Sequence, residues 1–284
     1  MDALIQEKIG GIDEIPSLPI VATRVMALMK DRDIDLKEIS KAIMNDPALT
    51  LRVIRLANSA YYGLSTQVTS VNHAVVMLGV NTMYNIILGL SVIRSFRIGR
   101  SRWFDPDLFW QHCMACALLA RNLSDYYTYD QPGTSFVCGL THDIGRLVFV
   151  QFLHHEFIAA SERAHATGCS LRQAEVDIIG FDHAATGAWL ARRWGLPEPL
   201  ITGIEFHHNL AGIPENLAEY ATLAKIVAAA NAICIQQDLG DSGESEIEVS
   251  PEDIVPQSYG IDIKEFAASA NDEITLTMKL WFPE

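Results

Sequence analysis

The stretch "DIDLKEISKAIMNDP", residues 33–47, decides the fold class of this chain. Asp35 stands where a helix N-cap would, Glu38 follows three residues on, and Leu36, Ile39 and Ile43 recur at helical spacing until Asp46-Pro47 interrupts the pattern. Asp46 then caps a second helix with Pro47 in its first turn, and Leu49, Val53, Leu56 and Ala57 supply the apolar stripe. The device recurs in "SVNHAVVMLGVN", residues 70–81: Ser70 starts a helix, Gly79 stops it, and Asn81 opens "TMYNIILGLSVIRSF". Short capped helices repeated in this way predict an all-α protein, a two-lobed helical bundle.

Farther along, "SFRIGRSRWFDP" (95–106) carries basic residues, a Gly and a Pro but no sustained stripe, and places a boundary between lobes. Residues 1–100 then form an N-terminal helical lobe, and 101–237 a second lobe whose longer helical patterns each carry a histidine. After Gln237, "DLGDSGESEIEVSPED" is acidic and poor in large apolar residues, which predicts a mobile connection. The segment 238–284 thus comprises that connection and a tail, "IDIKEFAASANDEITLTMKLWF", apolar enough to pack back onto the body. Within it "EITLTMKLW" alternates as a small strand would.

Composition narrows the function. A chain of 284 residues that is 49% hydrophobic fills a sizeable core. The net charge of -14 repels a polyanion, so direct binding to nucleic acid is not expected. The N-terminus lacks a basic region followed by an apolar core, which predicts a cytoplasmic protein. Purely apolar runs such as "YNIILGL" fall short of the roughly 20 residues that a bilayer needs, so no membrane span is expected. Five cysteines without a disulfide-framework spacing predict reduced thiols. The C-x-x-C of Cys113 and Cys116 lies within a helical pattern with no second pair, which favours buried core residues over a zinc or redox site.

The histidines carry the chemistry. In "DPDLFWQHCMACALLARNL" (105–123), Leu108, His112, Ala115 and Leu119 fall on one helical face, so His112 points inward. "GLTHDIGRLVFV" (139–150) sets His142 beside Asp143 in a segment too apolar for an unpaired carboxylate, unless that carboxylate caps or pairs locally. On a continuous helix these neighbours diverge by about 100°, so both reach one ion only over the helix edge, where Gly145 permits close approach. "IGFDHAATGAWLARRWGLP" places His183 in the first turn of a helix, and "EPLITGIEFHHNL" places His207 and His208 near the end of the next. Six N and O ligands on four helices, with no Cys, suit one or two divalent transition metals such as iron, manganese or zinc. His73 lies in the other lobe, and His154, His155 and His165 lack apolar-face spacing, which predicts exposure.

With these residues in view, the chain resembles the HDOD family, the HD-related output domains of bacterial signalling proteins, over roughly residues 12–210. The motifs are "IPSLPIVATRVMALMKD", "ISKAIMNDPALTLRVIRLANSAYYG" and "VTSVNHAVVMLGVNTMYNIILGLSV" for an HDOD N-terminal lobe. "GLTHDIGRLV", "FDHAATGAWLARRWGLP" and "FHH" are similar to the HD core shared with metal-dependent phosphohydrolases. The resemblance implies an all-α fold with an HD-like second lobe, and metal ligation by His112, His142, Asp143, His183, His207 and His208. The HD core usually closes with an aspartate, and in "LAKIVAAANAIC" its place falls to Asn231, a neutral and weaker ligand. Arg146 stands where cyclic-dinucleotide phosphodiesterases of the superfamily carry lysine.

HDOD domains are generally regarded as lacking hydrolase activity because their ligand sets have eroded, and here the erosion is slight. The resemblance therefore implies a bacterial regulatory module with a bound metal and little or no hydrolysis, answering to a protein partner or a phosphorylated small-molecule signal. The alternative is a metal-dependent phosphohydrolase with Asp143 and Arg146 as catalytic residues, Arg146 neutralising phosphoryl oxygens. A third reading is a structural α-domain with a filler metal.

Overall fold

The computed structural model describes residues 2–9, 15–31, 35–59, 61–244 and 249–282. Among them there is no β-strand, only an isolated bridge between Ser101 and Phe104, so the expected all-α class holds. The chain divides into a larger unit, Met1–Ile15 with Arg97–Asn271, and a smaller one, Pro16–Phe96 with Asp272–Glu284. Helix α1 (Asp2–Ile9) belongs to the larger unit.

The smaller unit is built from α2 (Ile20–Met29), α3 (Leu36–Met44), α4 (Pro47–Ala57), α5 (Val71–Leu78) and α6 (Val80–Ser95). The expected caps form: the Asp35 side chain accepts from the Lys37 N–H at 2.8 Å, Asp46 from Leu49 at 2.9 Å, and Ser70 from His73 at 3.2 Å. Caps of this kind are each worth about 1 kcal/mol. Two details differ from expectation. Glu38 pairs with Lys41 instead of closing a capping box, and α6 starts at Val80 rather than at Asn81. Gly79 ends one helix and directly precedes the next, with a bend of 118° between them.

The larger unit continues with α7 (Pro106–Tyr126), α8 (Pro132–Thr141), α9 (Ile144–Phe152), α10 (His154–Thr167), α11 (Leu171–Ile179), α12 (His183–Arg193), α13 (Glu198–Phe206), α14 (Ala221–Gln236) and the short α15 (Pro251–Ile254). Its core is layered on α7, which is closed to solvent from Cys113 to Ala120 and packs against α8 and α14. Small residues on α14, among them Ala224, Ala229 and Ala230, let these helices approach. Residues Glu215–Gln236 form one helical run of 22 residues, long and apolar enough by composition to cross a membrane. The sequence reading passed over this run. In the structure 61% of its most apolar window is buried inside the protein, where core packing accounts for its apolarity. Two bent pairs, α5 with α6 and the run Pro132–Phe152 with α10, also pass that test if each is counted as one span.

Helix α16 (Ile263–Trp281) replaces the strand that the alternation in "EITLTMKLW" suggests. Its buried positions are Ala267, Ala270, Ile274, Thr277 and Trp281, a helical spacing of three and four, while Leu276 is exposed. The cysteines are free, and four of them, Cys113 and Cys116 included, are buried. Burial pushes the Cys113 and Cys116 thiols well up, which leaves them neutral core residues.

Candidate metal centre

Three helices and one helix junction bring the histidines together. His112 projects from the middle of α7, His183 is the first residue of α12, and His207 follows directly on α13. His142 and Asp143 do not share a continuous helix: His142 caps the end of α8, and Asp143 precedes α9. This break resolves the divergence expected of helical neighbours, because the chain turns between the two segments and both side chains face the same interior. Gly145 makes the closure possible. A Cβ there would overlap the carbonyl oxygen of His183 and stand 2.7 Å from the Gly187 nitrogen, so α9 crosses the start of α12 backbone to backbone.

Two overlapping ligand groups result. One comprises His112, His142 and Asp143, the other Asp143, His183, His207 and His208, and within each the candidate ligand atoms lie within 4.8 Å of one another. Asp143 is common to both. Its Oδ1 is 3.4 Å from His142 Nε2, 3.3 Å from His183 Nε2 and 3.6 Å from His207 Nε2, and His183 Nε2 is 3.0 Å from His208 Nε2. All of these residues are buried except His208, which is partly exposed.

Hydrogen bonds on the far side of each ring set the tautomer. His142 Nδ1 lies 2.7 Å from the Gly139 carbonyl oxygen and His207 Nδ1 2.7 Å from that of Ile204. A carbonyl can only accept, so Nδ1 carries a proton on both rings, and Nε2 is left as the inward atom that could ligate a metal. His112 is hydrogen-bonded to the main chain of Leu239.

The electrostatics divide the set: burial opposes the charged form of His142, yet Asp143 and Cys116 raise its pKa above the usual value. Burial, reinforced by the His142 charge, pushes His112 down to about 3, and burial with the charge of His208 pushes His207 down to about 4, so both imidazoles are neutral at physiological pH, the form that can ligate. Burial opposes the charged form of Asp143, but His142 and His183 outweigh it and hold the carboxyl well below its ordinary range. Burial likewise opposes the charged form of His183, yet Glu175 and Asp143 hold its pKa well above the usual value.

The buried atoms left without a hydrogen-bond partner include Nε2 of His112, His142 and His207, Oδ1 of Asp143 and Oδ1 of Asn231. An orphaned buried polar atom costs roughly 1–3 kcal/mol and is rare, so the four on His112, His142, Asp143 and His207, all members of the two overlapping ligand groups, point to a common cause. A divalent cation would supply it, since these N and O atoms are the donor types that suit a transition metal. Asn231 itself lies on α14, which packs against α7 and α8.

Arg146, expected to meet a phosphate, is 2% exposed. Its guanidinium carbon lies 5.6 Å from the Phe109 ring centroid and its Nη1 3.6 Å from Asp143 Oδ2, while Nε and Nη1 have no hydrogen-bond partner. It is covered by a segment read from composition as mobile. Residues 238–244 are instead docked as a strap: the Asp241 N–H donates to the Leu108 carbonyl at 3.0 Å, and the Glu244 carboxylate accepts from the N–H groups of Leu171 and Arg172 at 2.9 and 3.3 Å. A Cβ on Gly243 would overlap the Arg146 guanidinium, and one on Gly240 would overlap the His112 backbone. The Asp241 main-chain bond, the Glu244 carboxylate and Cβ-free contacts at Gly240 and Gly243 hold the strap, and none of them depends on apolar side chains. Residues 245–248 of the same acidic stretch lie outside the described residues.

Sequence reasoning also missed Glu175, which is fully buried and whose Oε2 is 2.7 Å from His183 Nδ1. Its signal was an acidic residue on the inward face of α11, eight positions before a candidate ligand. His154, His155 and His165 are exposed, as their spacing predicts.

Together these features define a class: all-α proteins in which a helix junction carrying His-Asp, and histidines from the helices around it, enclose a metal-type centre. The chain belongs to the HDOD domain family, whose model matches residues 15–210. An HDOD domain protein of unknown function from Geobacter sulfurreducens superposes with a TM-score of 0.79 at 25% identity, covering 100% of this chain and 98% of that one. A candidate phosphohydrolase from Shewanella amazonensis SB2B superposes at 0.73 with 27% identity over 98% of this chain and 97% of its own. An uncharacterized protein of Treponema pallidum (strain Nichols) is 31% identical over 222 residues, 78% of this chain. The chain spans 42% of the length of that relative.

Proposed function

We propose that this protein is a bacterial signal-transduction module whose HD centre holds one or two divalent transition metals and hydrolyses phosphoesters little or not at all. The observation that carries the reading is the buried, unpartnered Oδ1 of Asn231, a residue that the HDOD resemblance sets in the place of the carboxylate that usually closes the HD core. In this arrangement His112, His142, Asp143 and Asn231 would hold one ion, and Asp143, His183, His207 and His208 a second. When bound, such a metal supplies Lewis acidity and an acidified water. The residues supply the rest: Asp143 serves both positions, Glu175 orients His183, and Arg146 pairs with Asp143 rather than facing open solvent. A centre of neutral imidazoles with a single carboxylate is strongly positive once loaded, so it retains an anion while lacking the second carboxylate that would orient an attacking water. The regulatory partner is then a protein or a phosphorylated small molecule that reads the occupied centre.

The second reading is a metal-dependent phosphohydrolase, favoured by the otherwise complete ligand set and by the similarity to the Shewanella protein. One experiment separates the two. Metal content is measured on protein purified without chelators, and turnover of phosphomonoesters and cyclic dinucleotides is assayed with manganese or iron, in the native chain and in Asn231→Asp. The regulatory reading expects stoichiometric metal, negligible native turnover and a gain in Asn231→Asp. Brisk native turnover that Asp143→Ala abolishes would replace it with the enzyme.

A further inference from the structure

Among the ligand residues of the centre, His208 alone is partly exposed. On the His112 and Arg146 side the strap closes the approach. On the His208 side lies a cavity of about 380 Å³, bounded by His207 and His208, by Lys225 and Ala228 of α14, and by Asp253 and Ile254 of α15. Lys225 is exposed and forms no ion pair among the described residues. The unpartnered, buried Nε2 of His207 belongs to a residue of the same wall. Candidate-ligand imidazoles and an exposed ammonium in the lining of one cavity suit a compact oxyanion, one end toward the ion and the other charge met by lysine.

We propose that this cavity is the entrance to the centre and that Lys225, not Arg146, is the cation that receives the ligand: a phosphate or phosphomonoester group. The proposal rests on the metal-binding reading above. The volume sits at the small end of ligand sites, which favours a monoester of mononucleotide size or less over a cyclic dinucleotide. Asp253 lies in the same wall and opposes an anion, so the mouth selects for a ligand whose charge is gathered on one group. Lys225 is thereby a binding residue, and Arg146 a positioning residue acting through Asp143.

The test uses the full chain and inorganic phosphate. With manganese loaded and its stoichiometry measured in every variant, calorimetric titration is expected to show phosphate binding that Lys225→Ala weakens roughly fivefold and Asp253→Asn tightens by a similar factor, the metal content unchanged. Phosphate binding that is absent, or that is indifferent to Lys225→Ala, overturns the proposal. The route of entry has a second readout that needs no metal: diethyl pyrocarbonate treatment of the metal-free chain, with sites mapped by mass spectrometry. Of the five ligand-set histidines, only His208 is expected to be modified at short times. Modification of His112 or His142 ahead of His208 overturns the assigned entrance. If the chain takes up no manganese while His208 still reacts first, the metal-binding reading fails and the entrance stands.

Discussion

Glu175 grips His183 at two points: its Oε2 accepts the His183 main-chain N–H at 2.9 Å and lies 2.7 Å from the ring Nδ1. A single carboxylate oxygen therefore fixes both the start of α12 and the orientation of its first side chain. Substituting an outer partner of a ligating histidine typically costs 10–100-fold in metal affinity. Glu175→Gln keeps the shape and loses the charge, so it is expected to weaken manganese binding by about tenfold, read by competition with a chelator, while circular dichroism stays native. Unchanged affinity would show that His183 does not ligate.

Stripping the metal should cost stability. An ion bound only by the folded chain adds about 2.7 kcal/mol when it is present at a hundred times its dissociation constant. For a protein of this size that moves Tm by roughly 5 °C or more. Scanning calorimetry with and without chelator, followed by manganese add-back, is the measurement, and a Tm indifferent to both would argue against a resident ion.

Gly145→Ala tests the crossing of α9 and α12. The new methyl group would overlap the main chain of His183, and backbone cannot swing aside as a side chain does. A loss of about 3 kcal/mol or more is expected, together with the loss of metal binding. Denaturant melts that leave the midpoint within error of the native one would contradict the close approach.

The strap carries a pH dependence. Burial pushes the Glu244 carboxyl up to about 7, with the neighbouring Glu175 adding to the effect and His183 opposing it. Its folded pKa thus lies above the unfolded value, so the folded state binds the extra proton between them. The stabilisation from this group is complete below about 4.5 and is lost as pH rises through about 7. Hydrogen exchange at the Leu171 and Arg172 amides, which face Glu244, is expected to become less protected, after correction for intrinsic rates, between pH 5.5 and pH 8. Glu244→Gln should flatten that change.

Much of this architecture is written locally in the chain. Asp35, Asp46 and Ser70 announce their helices because a cap needs only its own next few residues. The inward histidines are legible because polar side chains on apolar faces demand a partner. Longer-range features are not. The break between His142 and Asp143 follows from how α9 meets α12, which no periodicity in "GLTHDIGRLVFV" records. Glu175 and the 238–244 strap escaped for the same reason: their partners, His183, Leu171 and Leu108, are reached only through the fold. The tail shows the limit of alternation as a signal, since Ile274, Thr277 and Trp281 satisfy a helical period that the apparent strand pattern concealed.

Asp143 belongs to both ligand groups. Were an ion bound in each group, occupancy of one would change the carboxylate on which the other depends, so the two loadings would be linked and the linkage reciprocal. A titration would not follow two independent isotherms. If both groups hold an ion, the number held, rather than its mere presence, would become a graded quantity set by free-metal concentration, which a partner sensitive to the charge of the centre could read as a dose.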